Sequence, residues 1–188
     1  MTTWPIDHVT AFGSIDHLAL VLLVLFGRGM DLLSTWVATP CLELEANPIA
    51  RWLGWRAGMA VNGVVALGVG LLPLAAISIA TTSLLVASRN FQSAWLTRVV
   101  GELEYRRWIA ARYREGRPGV FLICLILHAG LVALVGVGLM AGSQWRLIPF
   151  AIGLGVVTYA LAIAVFTGLA MRRAGRSDIW PTSIPDRE

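Results

Sequence analysis

The chain has 188 residues, of which 57% are hydrophobic and only 14% are charged, and its mean hydropathy is +0.72. A soluble domain carries about 25% charged residues, so this composition excludes an ordinary soluble fold and makes lipid the expected solvent for much of the surface. All fifteen basic residues are arginines, which excludes Schiff-base chemistry on a lysine. Their clustering beside apolar segments favours a membrane orientation signal over a nucleic-acid surface.

Four apolar segments are each long enough to cross a bilayer, since about 20 helical residues suffice. They lie at about residues 15–38, 57–87, 119–142 and 147–171. They predict an all-α polytopic membrane protein, with four transmembrane helices in one antiparallel bundle that forms a single domain. The second segment is about ten residues longer than a span requires. We therefore expect it to tilt, to kink near Pro73 or to extend beyond the bilayer.

The first connection, residues 39–56, contains two helix signals. Pro40 is expected to end the first helix because proline cannot continue the hydrogen-bond ladder. Asn47 followed by Pro48 is typical of an N-cap and a first helical residue. The sequence therefore predicts a short helix from Pro48 to Trp55 along the membrane surface.

The basic residues predict an orientation. Residues 88–118 hold seven arginines and the tail, residues 172–188, holds four, whereas the other two connections together hold three. The positive-inside rule then predicts a prokaryotic cytoplasmic (inner) membrane protein with both termini and segment 88–118 in the cytoplasm. Segment 39–56 is expected to face outward.

The first helix carries an unusual polar stripe. At about 100° per residue, His17, Arg28, Asp31 and Thr35 fall within a window of roughly 60°. Ionisable groups inside a membrane are expensive and normally face protein or water. Arg28 and Asp31 are three residues apart and are expected to pair, and the Thr35 hydroxyl is placed to donate to the Asp31 carboxylate.

This stripe and the first connection predict a ligand-binding or ion-binding site at the outer side. Its expected members are carboxylate, amide, hydroxyl and guanidinium side chains: Arg28, Asp31, Thr35, Glu45, Asn47 and Asn62. Oxygen ligands of this kind favour a hard cation over copper or zinc. A purely structural role, in which these residues tie the first helix to the connection, is the alternative.

Two short motifs carry a resemblance. The run D-L-L-S-T (31–35), followed by E-A-N-P (45–48), resembles an uncharacterised bacterial and archaeal family of small membrane proteins, classed as a domain of unknown function. The resemblance covers about residues 15–85. It implies that Asp31, Thr35 and residues 45–48 act as one unit, and it implies no activity.

Two histidines in predicted spanning helices raise the hypothesis of a haem site. His17 and His128 are histidines of predicted spanning helices, and two such histidines can be the axial ligands of a b-type haem. Their expected depths differ by roughly 10 Å, and no C-x-x-C-H motif is present. The sequence therefore favours no cofactor.

The leading functional hypothesis is non-enzymatic. We expect a membrane protein that binds a polar solute, cation or partner at the Asp31 cluster, as a small transporter or as an accessory subunit. Its expected surroundings are the lipid bilayer. Small residues four apart on the helices allow close helix packing, which is compatible with a homo-oligomer or a larger membrane complex. The alternative is an intramembrane enzyme that acts on a lipid-borne substrate, with Asp31 or Glu45 as acid or base.

Overall fold

The computed structural model describes residues 8–42, 44–45, 48–116 and 118–176. That part of the chain forms six helices: α1 Ile15–Ala38, α2 Pro48–Val69, α3 Pro73–Val100, α4 Glu102–Glu115, α5 Pro118–Gly142 and α6 Leu147–Arg176. Four of them, α1, α3, α5 and α6, are long and apolar enough to cross a membrane. The predicted all-α class with four apolar spans that pack together is confirmed, and it is the fold of a membrane protein.

The predicted bounds of the second spanning helix, 57–87, are wrong. The chain leaves the helical conformation before Pro73, and Leu72 is extended. Proline lacks an N–H and restricts the residue before it, so it starts a helix more readily than it continues one. The span that begins there continues through residues 88–100, which were expected in the cytoplasmic connection.

Helix α2 consists of two parts because Gly54 has non-helical angles, with φ at 65°. Glycine adopts this left-handed region without the steric cost of a Cβ. The first part agrees with the predicted short helix, although Asn47, its predicted cap, lies outside the described residues. The second part starts at Trp55, whose indole nitrogen donates to the Pro40 carbonyl at 3.0 Å. It then returns along α1.

Helices α1 and α3 run parallel, since their contacts advance in the same direction along both. Gly27 lies against Ala80. Further along, the amide of Asn90 donates to the hydroxyl of Ser34 at 3.3 Å. The returning α2 makes this parallel pairing feasible, because it carries the chain back to the level at which α1 began.

The seam between α1 and α3 is built from small side chains. On α3 they alternate four and three residues apart: Ala76, Ala80, Ser83, Ala87, Asn90, Ala94 and Thr97. This 3.5-residue period suits two helices that wrap around each other with a left-handed twist. On α1, a methyl group added at Gly27 would lie 3.0 Å from the backbone of Ala80. The two backbones are therefore too close there for a larger residue.

Helix α6 also runs parallel to α3. The Ser78 hydroxyl donates to the Ala151 carbonyl at 2.9 Å, and the Thr82 hydroxyl donates to the Gly155 carbonyl at the same distance. Helix α5 packs against α6 in the opposite direction, as expected for the hairpin joined by residues 143–146. Helices α1, α2, α3, α5 and α6 thus alternate in direction along the chain, and α1, α3 and α6 all point the same way.

The described residues of segments 39–56 and 101–116 lie at the same end of the bundle. The Thr39 hydroxyl donates to the Glu102 carboxylate, and the backbone N–H of Cys41 donates to the same carboxylate at 3.0 Å. The expectation that the bilayer separates these segments is therefore wrong, because α2 adds a passage along the bundle. We call this end the arginine-rich end. The start of α1 and the α5–α6 loop lie at the opposite end, so α1 starts and α6 finishes at different ends.

Candidate functional site

The predicted pairing within α1 is present and is the centre of a polar cluster. The Arg28 Nη1 atom donates to the Asp31 carboxylate at 2.8 Å. Its Nε atom donates to the Asn62 side-chain oxygen at 2.6 Å, and Nη1 also lies 3.4 Å from the Ser83 hydroxyl. These four residues are the Arg28 cluster, which joins α1, α2 and α3.

Local geometry explains why α2 contributes its one amide here. On the second part of α2, the less exposed residues Gly58, Asn62 and Ala66 recur every four positions, and the spacing continues to buried Gly70 in the turn that follows the helix. A helical face with this spacing is narrow and points in one direction. The Asn62 amide nitrogen donates to the Gly58 carbonyl at 2.7 Å, which leaves its oxygen directed at Arg28. Asn62, predicted as a site residue, is thus in contact with the ionic pair.

The Arg28 cluster is only partly buried. The Arg28 side chain is 32% exposed and the Asp31 side chain is 17% exposed. A guanidinium has five N–H donors, and the bonds above use Nε and Nη1. None of the described residues accepts a hydrogen bond from Nη2. Arg28 therefore has donors left for a group that is not part of the described protein.

The hydroxyls after Asp31 have other partners. The Ser34 hydroxyl donates to the Asp31 backbone carbonyl at 2.8 Å, not to its carboxylate. Thr35, which was expected to donate to that carboxylate, instead accepts a 3.3 Å bond from the amide of Asn90. The expected bond from Thr35 to the Asp31 carboxylate is not among the hydrogen bonds of the described residues, and the partner of Thr35 is supplied by α3, which packs on this part of α1.

Glu45 supplies a second negative charge to the site. It repels the Asp31 carboxylate electrostatically, more weakly than Arg28 attracts it, and among the described residues it makes no hydrogen bond or ion pair with the Arg28 cluster. The other predicted loop member, Asn47, lies outside the described residues. Of the predicted site residues that the structure describes, Arg28, Asp31 and Asn62 are in direct contact, Glu45 is nearby and Thr35 belongs to the adjoining α1–α3 seam.

Two members of this region, Ser83 and Asn90, were missed by the sequence analysis. Both lie on α3, and Asn90 fell in the segment that was assigned to the cytoplasm. Their spacing of seven residues, continued by Thr97, was a usable signal, since residues seven apart share a helix face. The signal is weak in isolation because it does not say which helix that face contacts.

His17 and His128 do not form a haem pair. His17 is buried at the start of α1, where its Nδ1 atom accepts from the Gly13 N–H and its Nε2 atom lies 3.1 Å from the Leu67 carbonyl. Because Nδ1 accepts, Nε2 must carry the hydrogen and donate. Both ring nitrogens are thereby engaged, while His128 is exposed on α5.

The donor set of the site consists of oxygen and guanidinium groups. Within the part of the chain that the structure describes, no group of three or more His, Cys, Asp or Glu side chains is placed to hold a metal ion. Cys41 and Cys124 are both free and exposed. The chemistry that the cluster offers is therefore hydrogen bonding and charge pairing.

In comparisons with known proteins, no family model, no curated protein and no solved structure matches this chain. The resemblance carried by residues 31–35 and 45–48 stays a prediction.

Proposed function

We propose that this protein resides in the prokaryotic cytoplasmic membrane and binds a polar solute or cation at the Arg28 cluster, as a small transporter or as the binding subunit of a larger membrane complex. The observation that carries the proposal is that the Arg28 side chain is 32% exposed and that its Nη2 atom has no hydrogen-bond acceptor among the described residues. A merely structural arginine would be expected to use its donors within the protein.

The position of the cluster strengthens the argument. Arg28 is the fourteenth residue of the 24-residue helix α1, so it lies roughly 20 Å from one end of that helix at 1.5 Å per residue. Charged groups at such depth are unfavourable unless they are paired or face water, and they commonly mark ligand or ion pathways. Partial exposure at this depth is thus explained most simply by a polar occupant.

The charges select the class of occupant. The guanidinium of Arg28 is paired with the Asp31 carboxylate, and Glu45 adds a weaker negative field at Asp31, so the site disfavours a further negative charge. A small anion would be repelled by the two carboxylates. A neutral hydrogen-bonding solute or a cation that also offers an acceptor oxygen would satisfy both Nη2 and the carboxylates.

Access is proposed from the arginine-rich end. Asp31 is seven residues from the end of α1, whereas it is sixteen from the start. Helix α2, which covers the cluster through Asn62, has many fewer contacts with α1 than α3 has. Because α2 packs weakly beside the Arg28 cluster, we propose that a solute reaches the cluster by passing along α2.

We also propose that the chain crosses the bilayer five times, with its N-terminus outside. The second part of α2, about 15 residues, is roughly 22 Å long and lies beside α1, with the Leu67 carbonyl at His17 and Asn62 at Arg28. Ten arginines lie at the arginine-rich end: Arg51, Arg56, Arg98, Arg106, Arg107, Arg112, Arg114, Arg172, Arg173 and Arg176. Among the described residues, the opposite end has Arg146 alone. The positive-inside rule then favours a cytoplasmic arginine-rich end.

Cysteine labelling tests the topology. In a background with Cys41 and Cys124 replaced by serine, a membrane-impermeant maleimide is applied to intact cells carrying Gln144→Cys or Leu44→Cys. Five crossings predict labelling of Gln144→Cys in intact cells and of Leu44→Cys only after permeabilisation. Labelling of Leu44→Cys in intact cells would contradict the proposed topology and support the four-crossing alternative with an outward segment 39–56.

The binding proposal is tested by access and by ligand stabilisation. In the same background, Asp31→Cys should react with a cationic thiosulfonate from the arginine-rich side, whereas Val24→Cys, one heptad earlier on the buried seam, should not.

In thermal shift measurements, glycerol, glucose, choline, Na⁺ and Mg²⁺ are the probes. A probe that binds should raise the Tm of the wild type and of Arg89→Gln but not of Arg28→Gln. Unreactive Asp31→Cys would overturn the proposal.

The electrostatic interaction between Asp31 and Glu45 motivates a second candidate, an intramembrane enzyme acting on a lipid-borne substrate. Two neighbouring carboxylates of different environment can serve as an acid and a base. Incubation of the reconstituted protein with vesicles of radiolabelled phospholipid tests it by chromatography of the lipid products. Turnover that Asp31→Asn abolishes would favour the enzyme, and unchanged lipid would leave the binding function.

A further inference from the structure

We propose that a groove on the outward face of α6, near the arginine-rich end, binds one anionic phospholipid. The groove has a volume of about 260 Å³ and is lined by four apolar residues and one arginine: Ala164, Val165, Gly168, Leu169 and Arg172. The lining residues recur at spacings of three and four, so they form a single strip along the helix. The strip is apolar along its length and cationic at its end.

Gly168 produces the recess. A Cβ added at this position would meet open space, with no heavy atom within 4 Å. The missing side chain is therefore not required for close helix packing, in contrast to Gly153 of the same helix, where an added Cβ would lie 2.6 Å from the Gly136 carbonyl oxygen. A depression of this kind on a membrane-facing surface is filled by an acyl chain.

Arg172 supplies the headgroup contact. Helix α6 begins at Leu147, so Arg172 lies roughly 38 Å further along it at 1.5 Å per residue, which is beyond the roughly 30 Å of hydrocarbon and at the depth of the headgroups. Its side chain is exposed, and no described residue is hydrogen-bonded or ion-paired to it. Arg107 and Arg112 of α4 differ, since each pairs with a glutamate three residues away. Arg172 is thus a cation with its charge available.

A phosphate accepts two parallel hydrogen bonds from a guanidinium, which makes arginine well suited to a lipid headgroup. An anionic lipid is preferred because a zwitterionic one carries an ammonium that opposes the arginine charge. Basic sites on the cytoplasmic side of membrane helices bind anionic headgroups for this reason. The groove is too small for a protein partner, because a specific protein interface buries on the order of 800 Å² per partner.

Native mass spectrometry on the full-length protein tests the inference. The protein is extracted from vesicles of equal parts phosphatidylglycerol and phosphatidylcholine, and the lipid that stays bound is weighed. The wild type should retain one phosphatidylglycerol in several-fold excess over phosphatidylcholine. Arg172→Gln should lose the preference, and Gly168→Leu should lose the bound lipid because its side chain fills the recess.

Two matched variants control for general effects. Arg146→Gln removes an arginine from the opposite end, and Gly138→Leu adds a leucine on α5 at another glycine with open space around it; both should retain lipid as the wild type does. Equal retention of the two lipids by the wild type, or undiminished retention by Gly168→Leu, would overturn the site. Adding inorganic phosphate to the lipid-bound protein separates the sources: a lipid site predicts that the lipid stays bound at millimolar phosphate, and displacement of the lipid by phosphate would count against the acyl-chain groove.

Discussion

Helices α1 and α3 meet along a seam that contains charged, amide and hydroxyl groups, whereas α5 and α6 meet through glycine and apolar side chains. In the first pair, Arg28, Ser34 and Asn90 form side-chain hydrogen bonds across the seam. In the second, Gly136 and Gly153 bring the two backbones together. Only 6% of the apolar window of α5 is buried, against 28% for α1. The side-chain contacts that involve charged and amide groups are thus concentrated in the α1–α3 region, while α5 is the most exposed of the four spans and α6, 33% buried, packs between α3 and α5.

The largest expected effect is a break in the α1–α3 seam. Gly27→Leu forces a side chain into the 3.0 Å space beside Ala80, and overpacking of this kind costs about 3 kcal/mol. The Tm in detergent, followed by tryptophan fluorescence, should fall by about 10 °C. Gly138→Leu, which enters open space on α5, is the matched control and should change the Tm little. Equal losses in the two variants would contradict the difference between the two regions.

Removal of Arg28 is expected to have the next largest effect. Arg28→Met leaves Asp31 without its cationic partner, which we expect to cost about 2 kcal/mol, less than for a fully buried pair because the site is partly exposed. The double variant Arg28→Met/Asp31→Leu should recover part of this loss, since no unpaired charge remains. A double-mutant cycle on the Tm values measures the coupling. Additive losses would show that the ionic contact is not a stabilising pair.

The variant Thr82→Val tests the hydrogen bond that joins α3 to α6, and so the contact between the two regions. The Thr82 hydroxyl is 2.9 Å from the Gly155 carbonyl of α6 as well as from a carbonyl of its own helix. Interhelical bonds of this kind contribute about 0.6 kcal/mol in membranes, so we expect the Tm to fall by about 2 °C. Thr158→Val removes a hydroxyl bonded only within α6 and should have a smaller effect.

The smallest effect is expected at the surface of α4. Arg107 lies 2.6 Å from Glu104, but both side chains are about half exposed. An exposed ion pair at this spacing contributes under about 0.5 kcal/mol. Arg107→Ala should therefore lower the Tm by at most about 1–2 °C, and the difference should shrink in 1 M NaCl because salt screens the pair. A large loss that persists in high salt would indicate that Arg107 contributes by packing.

The sequence predicts what depends on composition and local spacing. The three predicted spans 15–38, 119–142 and 147–171 agree closely with α1, α5 and α6. Each lies in one uninterrupted apolar run, whose length can be read directly from the sequence. The Arg28–Asp31 pair also follows from spacing alone, because residues three apart on a helix are neighbours. Asn62 was correctly grouped with that pair from its expected depth.

The errors concern tertiary arrangement. A single apolar run from 57 to 87 reads as one helix, yet Pro73 divides it into the end of α2 and the start of α3. That division reverses the expected side of segment 39–56. It also carries Asn90 from a supposed connection into the α1–α3 seam, where it takes the place of Asp31 as the partner of Thr35. Hydropathy does not reveal at which end of a bundle a helix begins. A break of about one turn within an apolar run is enough to change the direction of every helix that follows it.

The parallel course of α1 and α3 has a consequence for synthesis. Arg28 and Asp31 are neighbours on one helix, so their ion pair can form as soon as α1 emerges from the ribosome. The amide of Asn62 arrives 34 residues later, and the hydroxyl of Ser83 later still. Until then the nascent α1 must enter the translocon with Arg28 and Asp31 paired only to each other. A ribosome stalled before Ser83 would therefore hold a first helix that still lacks its α3 partner.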